Sequence, residues 1–385
     1  MKAVLRIAPL CLALLSQAAA AQISVSPQVF VAANDGKQIL IDGVQAVPLH
    51  PAADTVTVFT LKGSKPHVLA TVSAPSSVIG PPCSVAVSPD GRYAIVTAAK
   101  TVAADPTQLA PDDRITVIAL TGKPHIAQST RAGAGASGVA FSPDGGRVLV
   151  ANRAAGTVSL FRFAGGTLTL VDTLDLGNAN AAPASAVFLA DGKRALLTRD
   201  GDNQVSLLTI DNDRLSLDPQ PVLATPRPYE ITSGRARRYA VVGGVDGVGT
   251  KVDNISLIDL SADRPKAVDT EVAGVTIEGV RMSADGRYVA VTVTNGTNMP
   301  HTAPTWRATS ELQIWTIRDG KLVRLAATAM APWAQGAAWS RDDRHVVAES
   351  MDAGLIQVFD FDGHKLSHRH DLPVTPDPAA LASGE

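Results

Sequence analysis

SVAVSPDGRYAIVTA, residues 84–98, places a Ser-Pro-Asp-Gly turn between two apolar runs. Three other stretches repeat this pattern closely: GVAFSPDGGRVLVAN at 138–152, SAVFLADGKRALLTR at 185–199 and GVRMSADGRYVAVTV at 279–293. In such a turn the proline presets φ, the aspartate accepts hydrogen bonds from the backbone that follows, and the glycine adopts a positive φ. Each copy therefore predicts a β-hairpin, and the recurrence predicts a repeat protein.

Three weaker copies begin at Val29, Glu230 and Gly336, which gives seven repeats. Aligned on the turn aspartate, the repeats have these anchor positions: Asp35, Asp90, Asp144, Asp191, Ala236, Asp285 and Asp342. Roughly 45 to 57 residues separate successive anchors, which is room for four short strands. A further apolar or alternating run follows every hairpin, such as TVSLFRF from Thr157. The sequence thus predicts an all-β fold, a seven-bladed β-propeller of four-stranded antiparallel blades.

The N-terminus has the order of a secretory signal peptide: Lys2 and Arg6, an apolar stretch, and small residues before Gln22. We expect removal of residues 1–21 and a periplasmic or secreted protein. Residues 22–372 are assigned to the propeller, with residues 22–26 as a candidate closing strand. Residues 373–385 are rich in Pro, Ala and Ser and are predicted to be a disordered tail. Loss of Cys11 would leave Cys83 without a disulfide partner.

Residues 142–161, SPDGGRVLVANRAAGTVSLF, resemble the YVTN repeats of bacterial β-propellers and the related lactonase-like propellers. Val150-Ala151-Asn152 stands where that family has Val-Thr-Asn. The resemblance extends over nearly the whole mature chain, and it implies the propeller fold. It also implies a possible activity, because lactonase-like propellers hydrolyse cyclic esters with His, Arg and Glu side chains around the mouth of the ring. The motif itself specifies a blade and not a reaction.

Composition and motifs exclude several function classes. The formal charge of −2 gives no electrostatic reason to expect nucleic acid or anionic lipid, and no further segment is long and apolar enough to span a membrane. The Gly133/Gly135/Gly138 pattern resembles a dinucleotide loop but lacks the helix that binds pyrophosphate. His364, His368 and His370 share one face of the last predicted strand and are interpreted as solvent-exposed residues. We therefore assign no cofactor and no metal.

Two sets of residues are candidates for a site. Cys83 lies just before an inner strand, and the other blades have Gln28, Ser137, Ala184, Tyr229, Glu278 and Gln335 at the same offset from the anchor. Glu278 is the acid of this ring and Tyr229 its aromatic residue. The second set lies in the connections between second and third strands, which are predicted to be long loops in blades one, two, five and six (residues 43–54, 98–113, 243–253 and 294–310) and to wall off one face. The ligand-binding candidates are Tyr229, Glu278, Asn295, Asn298, His301, Trp306, Arg307 and His50.

Three functions remain open, because fold does not fix function. The leading hypothesis is a monomeric, exported scaffold that binds a small ligand or an envelope protein through its loop-rich face. The alternative is a lactonase-like hydrolase that uses Glu278, His301, Arg153 and Arg199. A third is an accessory subunit of an envelope or redox complex. An enzyme needs an acid or base within reach of a cation that stabilises an oxyanion, whereas a binding module does not.

Overall fold

The computed structural model describes residues 27–247 and 249–384, and the regular elements of this part of the chain are all β-strands. The predicted signal peptide and the candidate closing strand at residues 22–26 lie outside the described residues. Strands are expected here because Val, Ile, Leu and Thr fill the runs between Gly- and Pro-containing turns.

The chain up to Asp175 contains fifteen strands, which form two small hairpins and the first three blades except the closing strand of blade one. In chain order they are β1 (Val29–Asp35), β2 (Ile39–Ile41), β3 (Val44–Ala46), β4 (Thr55–Lys62), β5 (Lys65–Ser73), β6 (Val85–Val87), β7 (Tyr93–Thr97), β8 (Lys100–Val102), β9 (Leu109–Pro111), β10 (Arg114–Ala119), β11 (His125–Arg131), β12 (Ala136–Phe141), β13 (Arg147–Asn152), β14 (Thr157–Ala164) and β15 (Thr167–Asp175).

Blades four to seven and the closing strand contain seventeen more. They are β16 (Pro183–Phe188), β17 (Arg194–Arg199), β18 (Gln204–Asp211), β19 (Arg214–Leu217), β20 (Pro228–Ser233), β21 (Tyr239–Gly244), β22 (Val252–Asp259), β23 (Lys266–Val275), β24 (Ile277–Met282), β25 (Tyr288–Val293), β26 (Ser310–Arg318), β27 (Lys321–Met330), β28 (Ala334–Trp339), β29 (His345–Ser350), β30 (Leu355–Phe361), β31 (Leu366–Pro373) and β32 (Asp377–Ser383).

These strands form seven four-stranded antiparallel sheets, and the predicted seven-bladed propeller is confirmed. Six sheets use four strands that are consecutive in the chain, apart from the hairpin β8–β9 inserted in blade two. The inner strand of each blade packs against the inner strands of its neighbours, for example β12 against β16 and β24 against β28. The seven inner strands consequently surround a central channel.

Blade one closes the ring with both ends of the described chain. Its strand order is β32-β1-β4-β5, so the innermost strand comes from residues 377–383. The prediction of a disordered tail over 373–385 is therefore wrong. Ala380 and Leu381 are fully buried, and the antiparallel ladder to β1 satisfies backbone groups that would otherwise form an open sheet edge.

The strand assignment predicted for blade one is also wrong. The run that begins at Val29 was predicted to be the first strand of this blade, but it is the second. Asp35 ends the second strand β1 and does not lie in a turn between the first two strands. Consequently Asn34, and not a residue after Asp35, is the equivalent of Asn152. The Asn34 Nδ2 donates to the hydroxyls of Thr55 and Thr57 at 3.0 and 2.9 Å. Asn152 makes the same pair of bonds in blade three, at 2.9 Å each.

Threonines of the second strands join neighbouring blades, as Thr198 and Thr292 show. The Thr198 hydroxyl accepts from the Ser185 amide of its own blade at 2.9 Å and donates to the Tyr229 carbonyl of the next blade at 2.6 Å. Thr292 likewise accepts from the Gly279 amide at 2.9 Å and donates to the Gln335 carbonyl. These bonds, together with apolar clusters between the sheets, fix the inner strands whose first residues line one mouth of the channel.

Candidate functional site

The two faces of the ring differ in their connections. The loop face has the connections between second and third strands, and the turn face has the Asp-Gly turns. On the loop face, blades one and two contain the hairpins β2–β3 and β8–β9 where long loops were predicted. The described residues of the connections in blades five and six, 245–247 with 249–251 and 294–309, contain no strand. We call the connections of blades five, six and one the loop canopy.

Contacts inside the loop canopy join blade six to blade five and, across blade seven, to blade one. The connection of blade seven itself is short. The Thr305 hydroxyl donates to the Gly249 carbonyl and so joins blade six to blade five. Asp42 of the β2–β3 turn accepts from the His301 amide at 2.8 Å and bonds the His301 Nδ1 at 2.6 Å. Gly43, at φ 75°, packs so closely on Met299 and Pro300 that a side chain there would collide. The canopy is therefore one connected wall on the loop face.

Most ligand-binding candidates of the canopy are engaged in its own structure. Asn295 adopts φ 54°, a conformation that asparagine tolerates. The Asn298 Oδ1 accepts from the Thr294 hydroxyl at 3.1 Å, and Arg307 donates to the carbonyls of Pro304 and Trp306. His301 and Trp306 pack together with ring centroids 4.7 Å apart. These residues and the exposed His50 lie at the rim of the loop face.

The channel mouth on the loop face brings together groups from five blades. Tyr229 is the second residue of the inner strand of blade five, and Glu278 is the second residue of that of blade six. Arg153 follows the second strand of blade three, and its guanidinium lies 5.8 Å from the centre of the Tyr229 ring. Tyr229 is within electrostatic range of Glu278, Arg153, Asp200 and Cys83. We call Tyr229, Glu278 and Arg153 the mouth cluster.

Asp200 binds the guanidinium group of the mouth cluster and that of a second arginine. Its Oδ2 accepts from Arg153 at 2.6 Å and from Arg227 at 3.2 Å, and Arg153 also reaches the Ala182 carbonyl at 3.3 Å. The Asp200 side chain is 1% exposed, whereas Arg153 is 22% and Arg227 37% exposed. One buried carboxylate thus orients two guanidinium groups at the mouth of the channel.

Glu278 has no hydrogen bond or ion pair with any described residue, yet its side chain keeps some accessible surface. Burial, followed by the nearby carboxylates of Asp253 and Glu230, raises the pKa of Glu278 to about 8. Burial and then Glu278 raise the pKa of Tyr229 well above its ordinary value. The mouth cluster therefore contains a carboxyl group that titrates near neutral pH beside a hydroxyl that stays protonated.

Arg199 and His301 are not part of the mouth cluster. Arg199 takes the repeat position of Asn152 and is only 5% exposed, with ion pairs to Asp202 and a 3.4 Å contact to Ser206 inside blade four. Its role is thus the same blade-internal one that Asn152 has in blade three. Among the described residues, His301 contacts Asp42 and Trp306 and forms no hydrogen bond or ion pair with Glu278, Tyr229 or Arg153.

The ring of residues equivalent to Cys83 needs one correction. Gln28 lies on the turn face, where its amide donates to the Trp339 and Gly384 carbonyls at 3.1 and 2.7 Å. Because β32 is the inner strand of blade one, Ala379 stands at the equivalent position. Cys83 itself is a buried free thiol, and burial raises its pKa to about 12. A thiol in this state is a poor nucleophile.

Neither the histidines nor the acids form a metal site within the described part of the chain. His364 precedes the outer strand β31, so the three histidines do not share one strand as predicted; His364 and His368 are exposed, His370 is half-buried, and His368 pairs with Asp371 at 2.7 Å. Over residues 27–247 and 249–384 there is no helix long and apolar enough to cross a membrane.

Asp200, Arg227 and Asp253 belong to the environment of the mouth cluster and were not assigned from sequence as ligand or catalytic groups. Asp200 lies in the Asp200-Gly201-Asp202-Asn203 turn, which is also typical of an ordinary connection. Its proximity to Arg153 arises from the packing of blade three on blade four, which the local sequence does not encode.

Comparison with known proteins supports a lactonase-like propeller. A family model described as "Lactonase, 7-bladed beta-propeller" matches residues 53–232, a little under half of the chain. No protein of curated function matches significantly.

Solved structures match over almost the full length. A putative 6-phosphogluconolactonase from Bacteroides fragilis is 14% identical, with a TM-score of 0.69, and covers 94% of this chain and 99% of its own. The periplasmic gluconolactonase of Pseudomonas aeruginosa is 16% identical, with the same TM-score and the same coverage. A functionally unknown protein from Desulfotomaculum acetoxidans is 12% identical, with a TM-score of 0.67, and covers 93% of this chain and 99% of its own. The described chain thus has the seven-bladed β-propeller fold of these structures, and residues 53–232 are similar to the lactonase family of such propellers.

Proposed function

We propose that the protein hydrolyses a cyclic ester at the mouth cluster of its loop face. The observation on which this depends is the Glu278 carboxyl group, which is accessible, unpaired among the described residues and has a pKa near 8. Tyr229, within electrostatic range of Glu278, and Arg153, beside the Tyr229 ring, are hydrogen-bond donors of the same mouth. The family match and the lactonase names of two structural relatives support the same reaction class.

The reaction needs a base, a water molecule and a donor for the oxyanion. Glu278 in its carboxylate form accepts a proton from water while the water oxygen bonds to the lactone carbonyl carbon. The negative charge that develops on the carbonyl oxygen is stabilised by the Tyr229 hydroxyl or the Arg153 guanidinium. The ring C–O bond then breaks, the Glu278 proton passes to the leaving alkoxide, and a hydroxy acid is released.

Asp200 acts as a positioning residue in this proposal. It is buried and holds Arg153 by a 2.6 Å hydrogen bond, so the guanidinium loses little side-chain entropy when substrate binds. Arg227, held by the same carboxylate, is more exposed and lies further out. The two guanidinium groups favour a lactone that carries an acidic or strongly polar substituent.

The test is hydrolysis of a panel of five- and six-membered lactones by the purified protein and by Glu278→Gln. We expect the substitution to lower kcat/KM at least 100-fold, because removal of a general base commonly costs this much. Glu271→Gln is the matched control, since Glu271 is an exposed glutamate on the outer strand β23. Full activity in Glu278→Gln, or no hydrolysis of any lactone by the wild type, would exclude the proposal.

We also propose export, on the basis of the signal-peptide pattern in residues 1–21. The structural relative from Pseudomonas aeruginosa is described as periplasmic, which supports that location. Expression of the full chain with a C-terminal tag, followed by cell fractionation and mass determination, tests this. A chain that keeps residues 1–21 and stays in the cytoplasm would contradict it.

A scaffold role for the loop canopy is the second candidate function. Ile41 and Val44 of the β2–β3 hairpin are 59% and 61% exposed, and apolar side chains exposed together on one hairpin are typical of binding surfaces. Trp306 and Arg307 are of the types enriched at interface centres. If a ligand binds there, Trp306→Ala combined with Arg307→Ala weakens its affinity without changing lactone hydrolysis. Loss of hydrolysis instead would assign these residues to the enzyme site.

A further inference from the structure

The turn face has its own opening into the channel, a cavity of about 570 Å³. Its walls are the inner strands, and it extends from the Asp-Gly turns inward to Cys83 and Ser185. A cavity of this volume is large enough for a small organic ligand. We infer that this cavity binds a small organic anion, with one acidic group on an apolar body and Arg281 as its anchor.

Arg281 is an exception within a ring of small residues. At this repeat position it is the single charged residue, and the six other blades have Ala86, Ala140, Val187, Thr232, Ala338 and Ala382. The side chain of Arg281 is 27% exposed and lines the cavity. Because its neighbours in the ring are short, the guanidinium has open space beside it in which an acidic group fits.

Buried groups behind the channel wall fix the position of Arg281. Its Nη2 pairs with the Glu230 Oε1 at 3.0 Å, and the Glu230 Oε2 accepts from the Val280 amide at 2.8 Å. The Arg281 carbonyl accepts from the Trp339 indole at 2.9 Å. The Arg281 Nε is buried and has no hydrogen-bond partner among the described residues, so part of the guanidinium remains unsatisfied beside its ion pair.

The other charged residues along the cavity wall are also arginines. Arg235, Arg237 and Arg341 also line it, and no Asp or Glu is among its described lining residues. These arginines have interactions of their own; Arg237, for example, donates to the Phe188 carbonyl at 2.5 Å. The cavity therefore has four guanidinium groups along its wall, in a chain whose formal charge is −2.

The apolar part of the wall determines what kind of anion fits. Val87, Phe141, Met282 and Trp339 line the cavity beside the hydroxyls of serines such as Ser142. An inorganic anion would leave this apolar surface in contact with water, whereas a ligand with a hydrocarbon or aromatic body buries it. The site lies on the turn face and does not depend on the mouth cluster or on lactone hydrolysis.

The experiment uses 8-anilinonaphthalene-1-sulfonate as a fluorescent probe for the folded full-length protein at constant ionic strength. We expect one probe molecule per chain, displacement by octanoate, and at least tenfold weaker displacement by octanol, which lacks the charge. Arg281→Gln should weaken probe binding about tenfold, since a charge-assisted hydrogen bond is lost. Arg318→Gln is the matched control, because Arg318 is exposed on β26.

A second set of variants keeps the test valid if loss of Arg281 unfolds the protein. Ala140→Phe and Ala86→Phe each fill the channel at the same ring position without removing a charge, and each should abolish probe binding while lactone hydrolysis is unchanged. Absence of probe and octanoate binding to the wild type, equal displacement by octanol, or unchanged binding in folded Ala140→Phe and Ala86→Phe would each overturn the inference.

Discussion

Ala32 lies opposite Leu381 in the antiparallel ladder of blade one, so a residue near the start of the described chain pairs with one near its end. Leu381 is fully buried and packs in a cluster with Phe30, Phe59 and Val358. This contact connects blade seven to blade one through a shared core. Ring closure therefore depends on hydrogen bonds and on apolar packing at the same residues.

We predict that Leu381→Ala lowers the free energy of unfolding by about 3 kcal/mol, as expected for removal of a buried leucine side chain. Chemical denaturation monitored by circular dichroism measures this. Leu223→Ala is the control, because Leu223 is 81% exposed and its truncation should cost less than about 0.5 kcal/mol. Equal stability of the two variants would show that β32 contributes little to closure.

The sequence predicts the blade count and the hairpins because the turn chemistry is local, but local chemistry also explains the error in blade one. Asp35 Oδ1 accepts from the Lys37 amide at 2.8 Å, as Asp144 Oδ1 accepts from the Gly146 amide at 3.0 Å. The same type of turn occurs at the end of a second strand in one case and after a first strand in the other. Only the pairing partner distinguishes them, and that partner is at the far end of the chain.

The sequence of the closing strand β32 contains a weak indication of a β-strand. Residues 379–384, AALASG, alternate small and apolar residues as GVAFSP does in blade three, but the second strand of their blade, β1, lies at the start of the described chain. For the site, Glu278 and Tyr229 could be found from their offset in the repeat, and Arg153 from its position after Asn152. Asp200 and Arg227 could not, because neighbouring blades bring them together.

We predict that Asn34→Ala and Asn152→Ala each lower the free energy of unfolding by about 1 to 2 kcal/mol, because each amide donates two hydrogen bonds to hydroxyls of the next strand. Thermal melts of the two variants should give similar shifts. Asn180→Ala is the control at an exposed asparagine. A shift in one blade without the other would contradict the structural equivalence of Asn34 and Asn152.

We predict that Cys83 does not react with a disulfide reagent such as 5,5′-dithiobis(2-nitrobenzoate) in the folded protein. The thiol is buried and its pKa is raised to about 12, so the reactive thiolate is scarce at pH 8. Colorimetric titration of a Cys11→Ser variant should detect one thiol in guanidinium chloride and less than a tenth of one without it. Rapid labelling of the native protein would show that the channel wall around Cys83 opens.

We predict that Asp42→Asn loosens the loop canopy without unfolding the ring. The His301 amide and imidazole both bond Asp42, and the backbone bond is the largest cause that lowers the pKa of this carboxyl group. Hydrogen exchange should accelerate in residues 296–303, with the melting temperature unchanged within error. In the wild type the same loosening should appear as the pH falls through the lowered pKa, since the contact requires the carboxylate. Unchanged exchange in Asp42→Asn would mean that Gly43, Met299 and Pro300 hold the canopy by packing.

The last prediction concerns the pH dependence that Glu278 confers. Its pKa is raised to about 8 in the folded protein from a value of 4.5 in the unfolded chain. Between these values the folded state binds the extra proton, so the free energy of unfolding should decrease as the pH rises, by about 5 kcal/mol in total. Stability curves from pH 5 to pH 9 should therefore be flatter for Glu278→Gln than for the wild type.

Activity should depend on the same group in the opposite direction. As a general base Glu278 must be deprotonated, so kcat/KM for the best lactone of the panel should rise with pH and level off above about 8. Alkaline hydrolysis of the lactone without enzyme is subtracted at each pH. Glu271→Gln should reproduce both wild-type profiles, because Glu271 lies exposed on β23, away from the mouth cluster. An activity profile that falls as the pH rises from 6 to 8 would assign Glu278 the role of a general acid. If the activity profile shows no inflection and the pH dependence of stability is the same in Glu278→Gln as in the wild type, the Glu278 carboxyl group does not titrate in this range.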